Sequence, residues 1–189
     1  MKHFIRQILL ILGTLALLAS LTSCGRGHSD ESKSIAEDKN DEKFDANSGE
    51  KDAQFVVDAM SDGYAQLLFA DAAKQKTKDQ EIKDVASILT KEQSNILADL
   101  KKYASSRAIS IPTEATDADQ EKARSISGER EFDKAWCEEM RSRHRKTIDK
   151  LEGAAASTED NELKTWANNT LRVARADHDK LMACHERLK

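Results

Sequence analysis

From Tyr64 to Lys189 the chain holds only two glycines, Gly128 and Gly153, and one proline, Pro112. A β-rich domain needs turn residues every 8–12 positions, so this scarcity excludes one. It also leaves no glycine-rich loop to cradle a phosphate, which removes most nucleotide-binding α/β folds. What remains is a helical protein. With 34% charged residues, its helices must present charged faces to water.

The hydrophobic pattern supplies four amphipathic segments. The first spans about 53–74, with an apolar line through Val57, Met60, Tyr64 and Leu67/Leu68 to Asp71. The second spans about 79–105, along Ile82, Val85, Leu89, Glu92/Gln93, Ile96, Leu100 and Tyr103. Thr77 and Gln80 form a capping-box pattern before it. The third spans about 129–155, along Phe132, Trp136, Met140, His144, Ile148 and Leu151. The fourth spans about 160–187, along Leu163, Ala167, Thr170/Leu171, Ala174, Asp177/His178 and Leu181.

Short links after the first and third segments predict two antiparallel hairpins. Residues 106–128 continue neither neighbour. Ile109, Ile111 and Pro112 read as an extended strap, and 117–125 as a short helix capped by Thr116. The expected fold is therefore all-α: a ferritin-like four-helix bundle of two hairpins joined by a long crossover. An up-down bundle with a loose loop is the alternative.

The N-terminus reads as an address. Lys2 and Arg6 precede an apolar run from Ile8 to Ala19, too short to span a bilayer but suited to a signal peptide. Leu21-Thr22-Ser23-Cys24 resembles a bacterial lipobox, which implies cleavage before Cys24 and its lipidation. The expected domains are a signal peptide over 1–23, lipidated Cys24 with a disordered charged tether over 24–51, and the helical bundle over 52–189. Gly25–Lys51 holds eight acidic and five basic residues and few apolar ones, the composition of a solvated spacer. Gly25 follows the acylated cysteine where some bacteria place an inner-membrane-retaining Asp, which points to the outer membrane, facing the periplasm. Removing Lys2 and Arg6 with the signal peptide leaves 28 basic against 34 acidic residues, a net −6 that argues against nucleic acid as a partner.

Each apolar line is broken once near its middle by polar residues. Asp71, Glu92, His144 and His178 could form a small nitrogen/oxygen site for a single transition metal. Alternatively Gln66, Gln93 and Asp177 join them in a buried polar layer that fixes helix register, or Asp71, Glu92 and Asp177 sit solvated at the edge of the stripe. Di-iron bundles use Glu-x-x-His, and no such pattern exists here: Arg141 and Arg175 stand three residues before His144 and His178.

Residues 52–188 resemble an uncharacterised bacterial family of exported, ferritin-like four-helix domains, described as outer-membrane proteins of unknown function. The resemblance lies in Gln54-Phe55-Val56 with Gly63, Leu89-Thr90-Lys91-Glu92-Gln93 with Leu100, and Ile111-Pro112. It continues through Ser127-Gly128, Phe132-Asp133-Lys134-Ala135-Trp136, Met140, His144, Leu171 and His178. Family members usually carry Glu at the position of Gln66 and Asp-His at Glu92-Gln93, so this chain departs from the family there. The resemblance implies the fold and brings no established activity.

Cys137 and Cys184 remain after Cys24. In an antiparallel hairpin, residues at one level have a nearly constant index sum. His144 with His178 gives 322 and Cys137 with Cys184 gives 321, so the cysteines share a level about two turns from the histidines. In an oxidising compartment this favours a disulfide over two separately packed thiols. No Cys-x-x-Cys and no nucleophile constellation is present. The chain thus reads as a non-enzymatic lipoprotein of the envelope that binds a protein partner or serves envelope maintenance or stress. A degenerate metal site and a small-ligand cleft are the alternatives.

Overall fold

The computed structural model describes residues 29–44 and 48–189. Six helices form, α1 (Ser29–Asp41), α2 (Ser48–Lys76), α3 (Gln80–Ser106), α4 (Asp117–Ser127), α5 (Phe132–Ser157) and α6 (Asn161–Arg187). There is no strand among the described residues. No helix among them is long and apolar enough to cross a membrane.

Four long helices and the short α4 follow the expected order, and α1 is an addition. The expectation of a disordered tether across 24–51 is corrected over 29–44 and over 48–51, where α1 and the first turn of α2 form. Helix α1 packs on α2, burying Ala36 and Asn40. Its polar composition could not reveal this, because side-chain hydrogen bonds rather than an apolar stripe hold it. The expected signal peptide and the expected lipidation at Cys24 fall outside the described residues.

The hairpin links repeat one piece of chemistry. At both, Thr-x-Asp ends the link: Thr77 Oγ1 accepts from the Asp79 N–H at 3.0 Å, and Thr158 Oγ1 from the Asp160 N–H at 3.1 Å. Each Asp then caps its helix. Asp79 accepts from the Ile82 N–H at 3.2 Å, and Asp160 from the N–H groups of Glu162 and Leu163 at 2.8 and 3.0 Å. The capping box expected at Thr77 is thus displaced two residues, because the Thr hydroxyl serves the turn. Thr116 caps α4 as read, accepting from the Asp119 N–H at 3.2 Å.

Helix α3 ends in a Schellman-type turn: Ile109 N–H reaches Ala104 O at 2.9 Å, and Ala108 sits at φ 56°. Glycine usually fills that left-handed position.

Helices α2 and α3 pair, as do α5 and α6. Across the pairs, α2 packs on α5 and α3 on α6. The cross-pair contacts descend in one helix as they rise in the other. Asp62 meets Lys150 and Phe69 meets Trp136; Asp79 meets Arg187 and Asp160 meets Arg107. Each of these neighbours is therefore antiparallel, and the strap with α4 runs the length of the helices to join α3 to α5.

Helix α2 corrects its expected face. Its buried residues are Ala53, Val56, Val57, Met60, Ser61, Gly63, Ala65, Gln66, Phe69, Ala70 and Ala73, while Asp71 is exposed. The helix touches α1, α3, α4 and α5, so it buries most of its circumference and no single stripe describes it. Gly63 lets α3 come close: a Cβ there would lie 2.5 Å from both Gln93 Nε2 and Leu97 Cδ2.

The core falls into apolar clusters. One gathers Phe69, Ile82, Leu89, Trp136, Met140 and Leu181. A second gathers Val56, Met60, Leu97, Leu100 and Leu163, and a third Ile148, Leu151, Ala167 and Leu171. The indole of Trp136 donates to Phe69 O at 2.8 Å, so its polar end is satisfied inside the core. Cys137 and Cys184 are joined by a disulfide, Cα–Cα 6.2 Å, within the first cluster.

Candidate functional site

Between the clusters lies a polar layer. Gln66, His144, Thr170 and Asp177 are buried there, and Gln93 and Thr147 join them around a cavity of about 30 Å³. That is room for about two waters, far below the volume of a small-ligand pocket. Phe55, Ile96, Leu151 and Trp166 form its apolar side, with Phe55 and Trp166 edge to face at 6.1 Å.

Helix periodicity aims these groups inward. His144 lies one turn beyond Met140 on α5, and its Nδ1 is 3.0 Å from the Met140 carbonyl. A carbonyl only accepts, so Nδ1 carries the proton and Nε2 is the bare acceptor. Burial holds the His144 pKa below the ordinary imidazole value, so the ring is neutral near pH 7. Gln66 Nε2 donates to Thr147 Oγ1 at 3.1 Å, tying α2 to α5.

The charged groups sit at the α3–α6 seam beside this layer. Asp177 is 4% exposed, yet Lys180 Nζ reaches its Oδ1 at 2.7 Å. The same ammonium lies 3.9 Å from Glu92 Oε2, a buried atom with no hydrogen-bond partner. Burial, with hydrogen bonding and repulsion from Asp177, pushes the Glu92 carboxyl up to about 7. Burial pulls the Lys180 ammonium down, but Asp177 and Glu92 more than offset that, and its net shift is upward.

The four expected metal ligands do not come together. Asp71 is 56% exposed and engages Lys74 at 3.2 Å and Gln75 at 2.6 Å. It lies on a different face from Gln66, the inward residue of α2. His178 is half-buried, with a buried Nδ1 that has no hydrogen-bond partner. Among the described residues no three His, Cys, Asp or Glu side chains gather in a group that could hold a metal ion. The chemical obstacle is Lys180, an ammonium already placed between the two carboxylates. Sequence reasoning missed Lys180, although it stands one helical turn after Asp177 and so shares its face.

It also missed Arg143. That guanidinium stacks over the Phe69 ring at 4.3 Å and bridges Asp119 at 2.8 Å and Glu139 at 2.7 Å, fastening α4 to α5. The spacing of Glu139 and Arg143, four apart on one helix, was the available signal. Chemically, the layer can hold and release a proton near neutral pH at Glu92 and fix the register of α2, α3, α5 and α6.

The chain matches a family model described as "Domain of unknown function (DUF4142)" over residues 37–183. It belongs to that family. The matched span opens inside α1 and closes just before Cys184, so it takes in both hairpins, the crossover and the whole polar layer. No curated protein and no solved structure matches the chain. Within the DUF4142 domain the polar layer is thus the candidate site.

Proposed function

We propose that this DUF4142 protein is a lipid-anchored module of the cell envelope whose helical domain works by binding a protein partner rather than by catalysis. In this reading α2, α3, α5 and α6 are a ferritin-like four-helix core, and α1 and α4 are additions to it. Cys24 is the lipidated residue, the outer membrane the destination, and the periplasm the space the domain faces. The lipobox-like Leu21-Thr22-Ser23-Cys24 after a short apolar run supports the anchor.

One observation carries the non-catalytic reading. The interior polar layer encloses a cavity of only about 30 Å³, and the Lys180 ammonium is set against both carboxylates. The cavity within the layer is too small for a substrate, and the Lys180 ammonium already neutralises the carboxylates beside it.

The test is to feed expressing cells an alkyne-bearing fatty acid and fractionate them. Wild type should carry the label and enter the membrane fraction, and Cys24→Ala should do neither. An unlabelled, soluble wild type would overturn the anchor. Pull-down of a defined envelope protein by the membrane form would support the binding role, and its absence after crosslinking would count against it.

The unpartnered Glu92 Oε2 and His178 Nδ1 favour a second reading, a degenerate metal site. Elemental analysis after exposure to iron, zinc and manganese separates the two. Stoichiometric metal that disappears in His144→Ala/His178→Ala would raise the metal reading above the first.

A further inference from the structure

Helix α1 is held on the rest of the domain by polar groups. The Asn40 side chain takes both backbone groups of Ser110, accepting from its N–H at 2.7 Å and donating to its C=O at 2.9 Å. Ser32 Oγ accepts from the Thr113 N–H at 3.0 Å. Lys43 Nζ donates to the carbonyl of left-handed Ala108 and to Ser110 Oγ, both at 2.9 Å. Lys33 pairs with Asp58 at 2.6 Å, and Gln54 donates to Glu37 at 2.7 Å. Apolar burial is slight: Ala36 is covered and Phe44, just past the helix, packs against the second core cluster, but Ile35 is 42% exposed.

A helix of 13 residues is marginal by itself, and an element held by few apolar contacts opens at far lower free energy than the core. Helix α1 is therefore the element most readily released.

Its direction decides what release does. Lys33 lies against Asp58 and Glu37 against Gln54, so α1 runs antiparallel to α2. Its N-terminus thus reaches the flank of the domain, beside the strap, near the middle of α2. The start of the core lies elsewhere: Asp52 accepts from the Thr158 hydroxyl at the end where α5 turns into α6.

Cys24 precedes Ser29 by five residues, a reach of at most about 17 Å. With α1 docked, an anchor at Cys24 holds the strap flank against the bilayer. With α1 released and unwound, 24 residues separate Cys24 from Ser48 at the start of α2, roughly 27 Å r.m.s., and the attachment moves to the end of the core.

We propose that α1 is a releasable clasp on the crossover strap that switches the helical core between lying flank-on to the membrane and standing off from it end-on. This rests on the lipid-anchor reading. Residues 29–44 carry six acidic and three basic side chains, so anionic headgroups repel this flank. The covalent anchor, not charge, brings it close.

The experiment uses the full lipidated chain in phosphatidylethanolamine/phosphatidylglycerol vesicles that contain an acceptor-labelled lipid. A donor dye is placed through a non-cysteine handle at exposed Lys78, at the core end remote from Asp52. Asn40→Ala removes both bonds to Ser110. Ser32→Cys/Thr113→Cys, at side chains whose oxygens lie 3.1 Å apart, provides a disulfide lock.

Energy transfer should be strongest in the locked form and several-fold weaker in Asn40→Ala. Mild reduction, which spares the buried Cys137–Cys184 bond, should return the locked form to the wild-type value. Equal transfer in all three forms, with the protein still sedimenting with the vesicles, would overturn the clasp. Loss of sedimentation would instead overturn the anchor beneath it. A loss of helix in Asn40→Ala no larger than the 13 residues of α1, read by circular dichroism, separates release from unfolding of the core.

Discussion

Arg107, the residue that closes α3, binds Asp160, the residue that caps α6, with Nη2–Oδ2 at 2.7 Å and Nε–Oδ2 at 3.0 Å. At the opposite end Arg187, the last residue of α6, binds Asp79, which caps α3, at 2.7 Å. Each helix of this antiparallel pair thus supplies an arginine from its C-terminal end to the other's N-cap. Both charges suit the helix dipoles they sit on.

Removing a cap should therefore cost more than removing a surface ion pair. Asp160→Ala should lower stability by about 1–2 kcal/mol, and Arg107→Ala by visibly less, in urea titrations. For Asp79 the Arg187 hydrogen bond comes first in lowering the pKa. For Asp160 burial opposes the lowering, but the Leu163 N–H and Arg107 overcome it. Depressed carboxylates stabilise above their unfolded pKa and lose that contribution as pH falls through the folded one. Wild type should thus begin to lose its advantage over the Ala variants below about pH 4, and lose more as pH falls through the folded pKa. An unchanged gap between pH 7 and pH 3 would refute this.

Glu92 should behave in the opposite sense. Its carboxyl titrates near 7 in the folded chain, against about 4.3 for a free one, so the fold favours the protonated form. That contribution is complete below the unfolded pKa and is lost as pH rises towards 7. Glu92→Gln, which mimics the protonated state, should raise Tm relative to wild type at pH 8 and change little at pH 4. Equal Tm differences at both pH values would sink the prediction.

Gly63→Ala sets helix propensity against packing. Alanine in mid-helix gains about 1 kcal/mol over glycine. Its Cβ, however, would meet Gln93 Nε2 and Leu97 Cδ2 at 2.5 Å, and overpacking of this kind costs about 1–3 kcal/mol. A net loss is expected in denaturant unfolding. Leu97→Ala should be partly compatible with Gly63→Ala, so the double variant should lose less than the sum of the two.

The disulfide closes a loop with a separation of 47 residues. Cys137→Ala/Cys184→Ala should cost about 3–4 kcal/mol on the loop-entropy argument. Both cysteines are essentially inaccessible, at 0% and 1% exposed. Thiol-reactive probes should label them only after reductant and denaturant together. Labelling in native buffer without reductant would contradict the bond.

Much of the fold was legible because long helices write their period into the chain. The lines through Ile82, Val85, Leu89 and Leu100 on α3, and through Trp136, Met140, His144, Ile148 and Leu151 on α5, are the buried faces of those helices. Helix α2 was less legible because four neighbours bury it from several sides. Phe69 and Ala73 were missed, and Asp71, read either as inward or as solvated at the edge of the stripe, is exposed. Helix α1 was not legible as a packed element at all. Its docking rests on Asn40, Ser32 and Lys43 meeting backbone groups about 70 residues away, and hydrogen bonds to backbone leave no hydrophobic period.

Taken alone, the order of residues determined the helical class, the two short hairpins, the strap and the inward His144 and Asp177, because these follow from local propensity and from spacing along one helix. The tertiary structure decided which polar groups meet. It set Lys180 against both Glu92 and Asp177, kept Asp71 out in solvent, and folded α1 back onto Ser110. Those outcomes depend on the rotation of each helix about its axis and on approach distances such as that across Gly63. These are set by how several helices pack at once, and no single segment encodes them.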